Sequence, residues 1–139
     1  MGLHSLLYVS ESTLTLPAEE WQVDVIIDVA RSRNSALGVT GALMFTHVNF
    51  VQVLEGSRPA LEELMTSIRR DPRHRNIRVL EEEALAYRRF ATWSMAYLGP
   101  AALVEPKIAP LVQQGGRRVD PFATEDMICL LRSLTAMGD

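Results

Sequence analysis

Along the first two-thirds of the chain, short apolar runs are interleaved with stretches whose apolar positions recur at helical spacing. Residues 3–10, LHSLLYVS, are short and apolar and predict a strand. ESTLTLP leads into a helix: Pro17 suits a first helical position, and Glu19 and Glu20 suit the positive end of the helix dipole. Val23, Ile26, Ile27 and Ala30 form the helical stripe, widened by Val25 and Val29, and the helix is expected to stop near Asn34. GVTGALMF at 38–45 and FVQVLEG at 50–56 predict a hairpin closed by THVN. Ser57 is the expected N-cap of a second helix with the stripe Leu61, Leu64, Met65 and Ile68, ended by Asp71-Pro72. NIRVLEEEALA at 76–86 and TWSMAYL at 92–98 predict two further strands.

The order β-α-β-β-α-β-β predicts an α+β fold. It suits a ferredoxin-like sandwich, with a five-stranded mixed sheet and two helices on one face. The pattern changes after Gly99-Pro100. Residues 101–114 are apolar but carry Pro106 and Pro110, so any helix there is short or broken. GGRRVDP reads as a linker, and a final helix with the stripe Met127, Leu130, Leu131 and Leu134 can start at Asp120-Pro121. Residues 99–139 therefore read as a C-terminal helical extension, not a second domain.

Composition narrows the function. The chain has 139 residues, 47% of them hydrophobic, which suits one domain with a substantial core. A net charge of −3 with scattered basic residues argues against a nucleic-acid partner. No apolar run approaches the ~20 residues of a membrane helix, and the start MGLHSLLYVS lacks a signal-peptide pattern. The single cysteine, Cys129, excludes an intrachain disulfide, fits a reducing cytoplasm and reads as inert core of the last helix. His4, His47 and His74 are dispersed, so no metal site is expected.

Gln52 is the polar residue in an otherwise apolar strand, and a buried amide costs about 1–3 kcal/mol if unpaired. In the predicted order Tyr8 lies on a neighbouring strand, and Asn34 ends the first helix above the same face. Together they can line one cleft, where amide donors and acceptors suit the edge of a flat heterocycle. Each also has an ordinary explanation: a glutamine bonded to backbone, a core tyrosine, a C-capping asparagine. The residues alone stop at a polar-lined cleft in an α+β sandwich.

Five segments appear in order: LLYVS around Tyr8, ARSRNSALGVTGALMF with Asn34, FVQVLEG with Gln52, DPRH at 71–74, and RRFATWSM ending in Trp93 and Met95. In this order they resemble the BLUF domain, a blue-light sensor that holds a flavin, over roughly residues 3–98. The resemblance implies non-covalent binding of FAD, with FMN or riboflavin as alternatives, between the two helices. Asn34 would hold the pyrimidine edge, and Gln52 would lie between Tyr8 and the N5/O4 edge. Ile26 and Ile27 would pack on the ring, Arg31 would meet phosphate or the polar tail, and Arg33 would stack on or rim the ring. Asp71, Arg73 and His74 would lie by the ribityl side. Glu11 departs from the family's usual basic or small residue, in a loop away from these groups.

The mechanism implied is photochemical. Tyr8 would supply an electron and then a proton through Gln52; the radical pair recombines, and the Gln52 amide is left rearranged and shifts the flavin absorption to the red. Trp93 and Met95 would carry the signal outward. The chain would then be a sensor and not an enzyme, since nothing after residue 98 has the length of a cyclase or phosphodiesterase domain. It would act by contact with an unidentified downstream protein, in the cytoplasm, as a homo-oligomer. The alternative is a small flavin-dependent oxidoreductase on the same fold, for which no dinucleotide fingerprint appears. A hydrolase would need an anion-binding loop, and SRNSALG offers no glycine-rich cradle.

Overall fold

FVQVLEG is apolar on both sides because both faces of its sheet are covered. A computed structural model describes residues 2–15, 17–46, 48–97 and 121–137, with the backbone only at 94–97, 121–123 and 134–137. Its elements are β1 (Leu3–Ser12), α1 (Trp21–Leu37), β2 (Thr40–Phe45), β3 (Asn49–Gly56), α2 (Arg58–Arg70), β4 (His74–Leu85), β5 (Trp93–Tyr97) and α3 (Pro121–Met137). The five strands lie in the order β4-β1-β3-β2-β5. The β1–β4, β1–β3 and β2–β3 pairs are antiparallel, and β5 adds to β2 in parallel, so the sheet is mixed as the sequence predicts.

The two-residue strand period sorts the core into two layers. Leu6, Tyr8, Leu43, Phe45, Phe50 and Leu54 point to a front face, where they meet Val23 and Ile26 of α1 and Ala60, Leu61, Leu64 and Met65 of α2. Leu7, Val9, Ala42, Met44, Val51 and Val53 point to the back, where Met127, Ile128 and Leu131 of α3 cover them. The last helix thus shields the face that α1 and α2 leave open. Every residue of β3 is buried. Cys129 lies on the exposed side of α3, which corrects its expected place in the core: the buried positions 127, 128 and 131 turn it outward.

Both ends of α1 differ from expectation. Residues 17–20 form turns, and the helix begins at Trp21. Glu19 turns the chain beforehand, accepting from Thr15 N at 2.6 Å and Gln22 Nε2 at 2.9 Å. The helix runs past Asn34 to Leu37 because its stop signal is Gly38, with a left-handed φ of 68° and an N–H directed to Asn34 O and Ser35 O. Ser57 does cap α2, accepting from Ala60 N at 3.3 Å. Among the described residues no helix is long and apolar enough to cross a membrane. The apolar stretch 101–114, the linker up to residue 120, His47 and the side chains of Met95 and Leu134 lie outside the described residues.

Candidate functional site

Tyr8 and Gln52 are direct partners in the β1–β3 register, so their side chains stand together on the front face. Gln52 Nε2 donates to Tyr8 Oη at 2.6 Å. Trp93, at the start of β5, donates its indole Nε1–H to Gln52 Oε1 at 2.9 Å. An indole N–H can only donate, so it fixes which end of the amide faces which neighbour: Oε1 toward Trp93, Nε2 toward Tyr8. Asn34 completes the group. Oriented to satisfy its neighbours, its amide donates to Ala30 O at 3.3 Å and accepts from Trp93 Nε1 at 3.0 Å. The Trp93 hydrogen therefore has two acceptors in reach, one on β3 and one on α1. All four side chains are buried. Asn34 also serves the helix end through its backbone carbonyl, which accepts from Val39 N at 2.8 Å, so capping and the side-chain role coexist.

Tyr8, Gln52 and Asn34 line a cleft between α1 and α2. Ile26, Val29, Ala30, Arg33 and Asn34 form the α1 wall; Leu64, Ser67 and Ile68 form the α2 wall; Leu43, Leu54, Tyr8 and Gln52 form the floor. Asp71, Arg73 and His74 close one end. Arg73 clamps Asp71 with two guanidinium bonds, Nε to Oδ1 at 2.8 Å and NH2 to Oδ2 at 2.7 Å, and its backbone N–H adds a third. Burial works against the Asp71 carboxylate, but these bonds outweigh it and hold its pKa below the ordinary value.

Burial pushes the Tyr8 phenol far above its ordinary pKa; the Gln52 N–H opposes the rise and the Asp71 charge adds to it. Tyr8 is therefore neutral at any physiological pH.

His74 packs on Phe50, with ring centroids 4.4 Å apart, and its Nδ1 lies 2.7 Å from Ser10 Oγ. Burial lowers its pKa to about 4, against a raising influence from Asp71 and a lowering one from Arg73. The folded ring thus refuses a proton that the unfolded ring accepts. Stability should fall as pH drops from 6.5 to about 4, with no further loss from this group below that. After allowing for the water that still reaches the ring, the loss is on the order of 2 kcal/mol. Urea unfolding across this range should show the slope in the wild type and lose it in His74→Gln, which keeps a partner for Ser10.

Of the residues the sequence singled out, Tyr8, Ile26, Arg33, Asn34, Gln52, Asp71, Arg73 and His74 line the cleft, and Trp93 bonds at its floor. Ile27 and Arg31 do not. The lining positions 26, 29, 30, 33 and 34 form one helical stripe, and 27 and 31 are rotated away from it. Ile27 packs instead against the front core, and Arg31 is exposed, 3.9 Å from Asp28. Val29, Leu64 and Ile68 were read only as helical stripes and prove to be cleft walls; Ser67 carried no signal at all.

A family model described as "BLUF: Sensors of blue-light using FAD" matches residues 3–96. The chain is 29% identical over 136 residues to the photoactivated adenylate cyclase subunit beta of Euglena longa, covering 96% of this chain but 16% of that protein. The chain thus spans about a sixth of the length of that curated relative. Among solved structures it is similar to BlrB, a BLUF protein, in its dark state: TM-score 0.77, 30% identity, covering 95% of this chain and 96% of that one. It also matches BlrP1 of Klebsiella pneumoniae, with FMN and cyclic diGMP, at TM-score 0.65 and 33% identity over 98% of this chain and 35% of that one.

Proposed function

This chain belongs to the BLUF family, the sensors of blue light using FAD, and from that premise we propose that it is a blue-light photoreceptor switched by Gln52. The observation that carries the reading is the line Tyr8 Oη, Gln52 amide, Trp93 indole, at 2.6 Å and 2.9 Å, buried at the inner end of an open cleft. The donor set suits a flavin edge. Two amides, Asn34 and Gln52, each carry a second N–H beyond the bonds described, and apolar Ile26 and Leu64 provide walls for a flat ring. Arg33 would rim the ring, and Asp71, Arg73 and His74 would meet the ribityl side. Ile27 and Arg31 would have no direct contact with the ring.

Bound flavin, as FAD or as FMN or riboflavin, supplies the absorption of blue light and a sink for one electron and one proton. Tyr8 is the donor of both, and its buried neutral phenol gives up the proton only together with the electron. Gln52 would pass the proton and turn, by rotation or tautomerisation, and the electron and proton would then return to Tyr8, so that no net redox change remains. Turning places a donor where Oε1 stood, and two donors then face each other at Trp93. The indole must leave, and the Asn34 oxygen at 3.0 Å is already within reach. Trp93 would thus transfer its bond from β3 to α1 and pull on β5, with Met95 next along that strand's face. The sensory unit would span residues 3–98, with 99–139 as the surface that meets a downstream protein or a second copy. A chain working in this way needs no catalysis of its own.

The test is an absorption spectrum of the purified protein in darkness and after blue light. Wild type should show a flavin spectrum that moves to the red and relaxes in the dark. Tyr8→Phe should keep the flavin and lose the shift. A colourless chain that takes up neither FAD, FMN nor riboflavin would overturn the reading.

A further inference from the structure

Seven residues, 86–92, connect β4 to β5. Those strands are the two edges of the sheet, with β1, β3 and β2 between them. The connection must therefore cross four strand spacings, about 19 Å. Joining Leu85 to Trp93 takes eight Cα steps, about 26–29 Å at full extension, so the connection spans the sheet end with room for the bends at 86, 87, 89, 91 and 92. It is also fastened to each strand it crosses. Arg89 bonds Glu83 on β4 at 3.2 Å, Ser5 Oγ on β1, and Glu55 on β3 at 3.1 Å. Arg88 bonds Thr40 Oγ1 on β2 at 2.8 Å, and the carbonyls of Glu55 and Gly38 at 3.0 Å and 2.9 Å.

Glu55 is the centre of this arrangement and is fully buried. A carboxylate without water is costly unless its oxygens are filled. The connection fills them: Arg89 N–H at 3.0 Å, Phe90 N–H at 3.0 Å and Arg89 Nε at 3.1 Å, with Thr40 Oγ1 at 3.3 Å. These bonds stand three residues from the switch along both β3 and the connection. Glu55 follows Gln52 by three on β3, and Trp93 follows Phe90 by three after the connection. The Trp93–Gln52 bond and the Phe90–Glu55 bond thus close a small ring of structure, with Gly41 N–H bonded to Thr92 O at 3.1 Å just before Trp93.

We propose that the Glu55 carboxylate is a positioning residue for the light switch: by anchoring the strap over the sheet end, it sets how firmly Trp93 is held at Gln52. The link to the switch rests on the photoreceptor reading; the anchoring itself does not. The competing account is that Phe90, buried in the back core, holds the strap by packing and Glu55 only stabilises the fold.

The full chain has two tryptophans, so a Trp21→Phe background, excited selectively at tryptophan, leaves Trp93 as the sole tryptophan. Acrylamide quenching of the flavin-free protein reads its accessibility, and dark recovery of the loaded protein reads the switch. Glu55→Gln should raise the quenching constant about threefold and change the recovery rate about tenfold, while flavin stays bound. Phe90→Leu, matched for loss of Tm, should leave both within about twofold. Unchanged quenching in Glu55→Gln would overturn the strap. Raised quenching with an unchanged recovery rate would overturn its link to the switch. A chain that takes up no flavin removes the recovery measurement together with the photoreceptor reading, and quenching still decides the strap. Should Glu55→Gln fail to fold, Arg89→Gln is read in the same way, since it leaves Glu55 its two backbone donors.

Discussion

Gln52→Leu is expected to bind flavin, absorb blue light and show no red shift. The two halves of that result have different causes. Retention follows from the walls: Ile26, Leu64, Ile68, Asn34 and the Asp71–Arg73 end of the cleft are untouched by the change. Loss of the shift follows from the amide. No other described side chain bonds Tyr8 Oη, and leucine offers neither the donor that meets it nor a group that can exchange donor for acceptor. The change also moves stability in a way that can be separated. Trp93 keeps an acceptor in Asn34 at 3.0 Å, whereas the buried Tyr8 hydroxyl loses its described partner. One orphaned hydroxyl costs about 1–3 kcal/mol, partly offset because the buried amide disappears too. Difference spectra and a thermal melt on the same sample check both. A red shift that survives in Gln52→Leu would remove Gln52 from the mechanism, whatever the melt shows.

What the sequence made legible was what depends on strand order and period. Short apolar runs placed Tyr8 and Gln52 on strands, the order of elements made those strands neighbours, and their pairing follows from the antiparallel register. Helical phase was legible only as a broad stripe. Val25 and Val29 widened it, and Ile27 and Arg31, which the family resemblance set in the site with Ile26 and Arg33, lie off the stripe that lines the cleft. The helix end was misplaced because Gly38 was read as the start of a strand and not as a left-handed cap. Trp93 could be proposed as an output residue but not as a hydrogen-bond partner of Gln52. Its strand pairs with β2, not β3, so the contact crosses an intervening strand that no local pattern encodes. Glu55 was invisible for a similar reason. A glutamate at the end of an apolar strand looks like the return to solvent, and only the crossing of residues 86–92 over the sheet end turns it inward. Contacts set by one chain period can be read ahead; contacts set by how distant segments cross cannot.

The largest stability effect is expected at Gly41, the last residue of the GVTG segment. Gly41 has a φ of 146°, which side-chain-bearing residues rarely adopt. A Cβ there would lie 2.0 Å from Val53 O and 2.9 Å from Val53 C, both backbone atoms of the adjacent strand. No rotamer can relieve that overlap, so β2 and β3 must part where Gly41 pairs with Leu54. The damage travels, because Gly41 is also the register partner of Trp93 and its N–H bonds Thr92 O. Gly38 supplies the comparison. Its φ is 68°, but a Cβ there meets nothing within 4 Å, so Gly38→Ala carries backbone strain alone, about 1–2 kcal/mol. Gly41→Ala adds a steric conflict in the sheet and should cost more than about 4 kcal/mol, or leave no cooperative transition. Urea unfolding of the two variants, with flavin uptake and Trp93 accessibility measured alongside, separates the cases. Gly38→Ala should bind flavin and keep Trp93 shielded, and Gly41→Ala should do neither. If the two variants cost the same, the close approach of β2 and β3 is not what selects glycine at position 41.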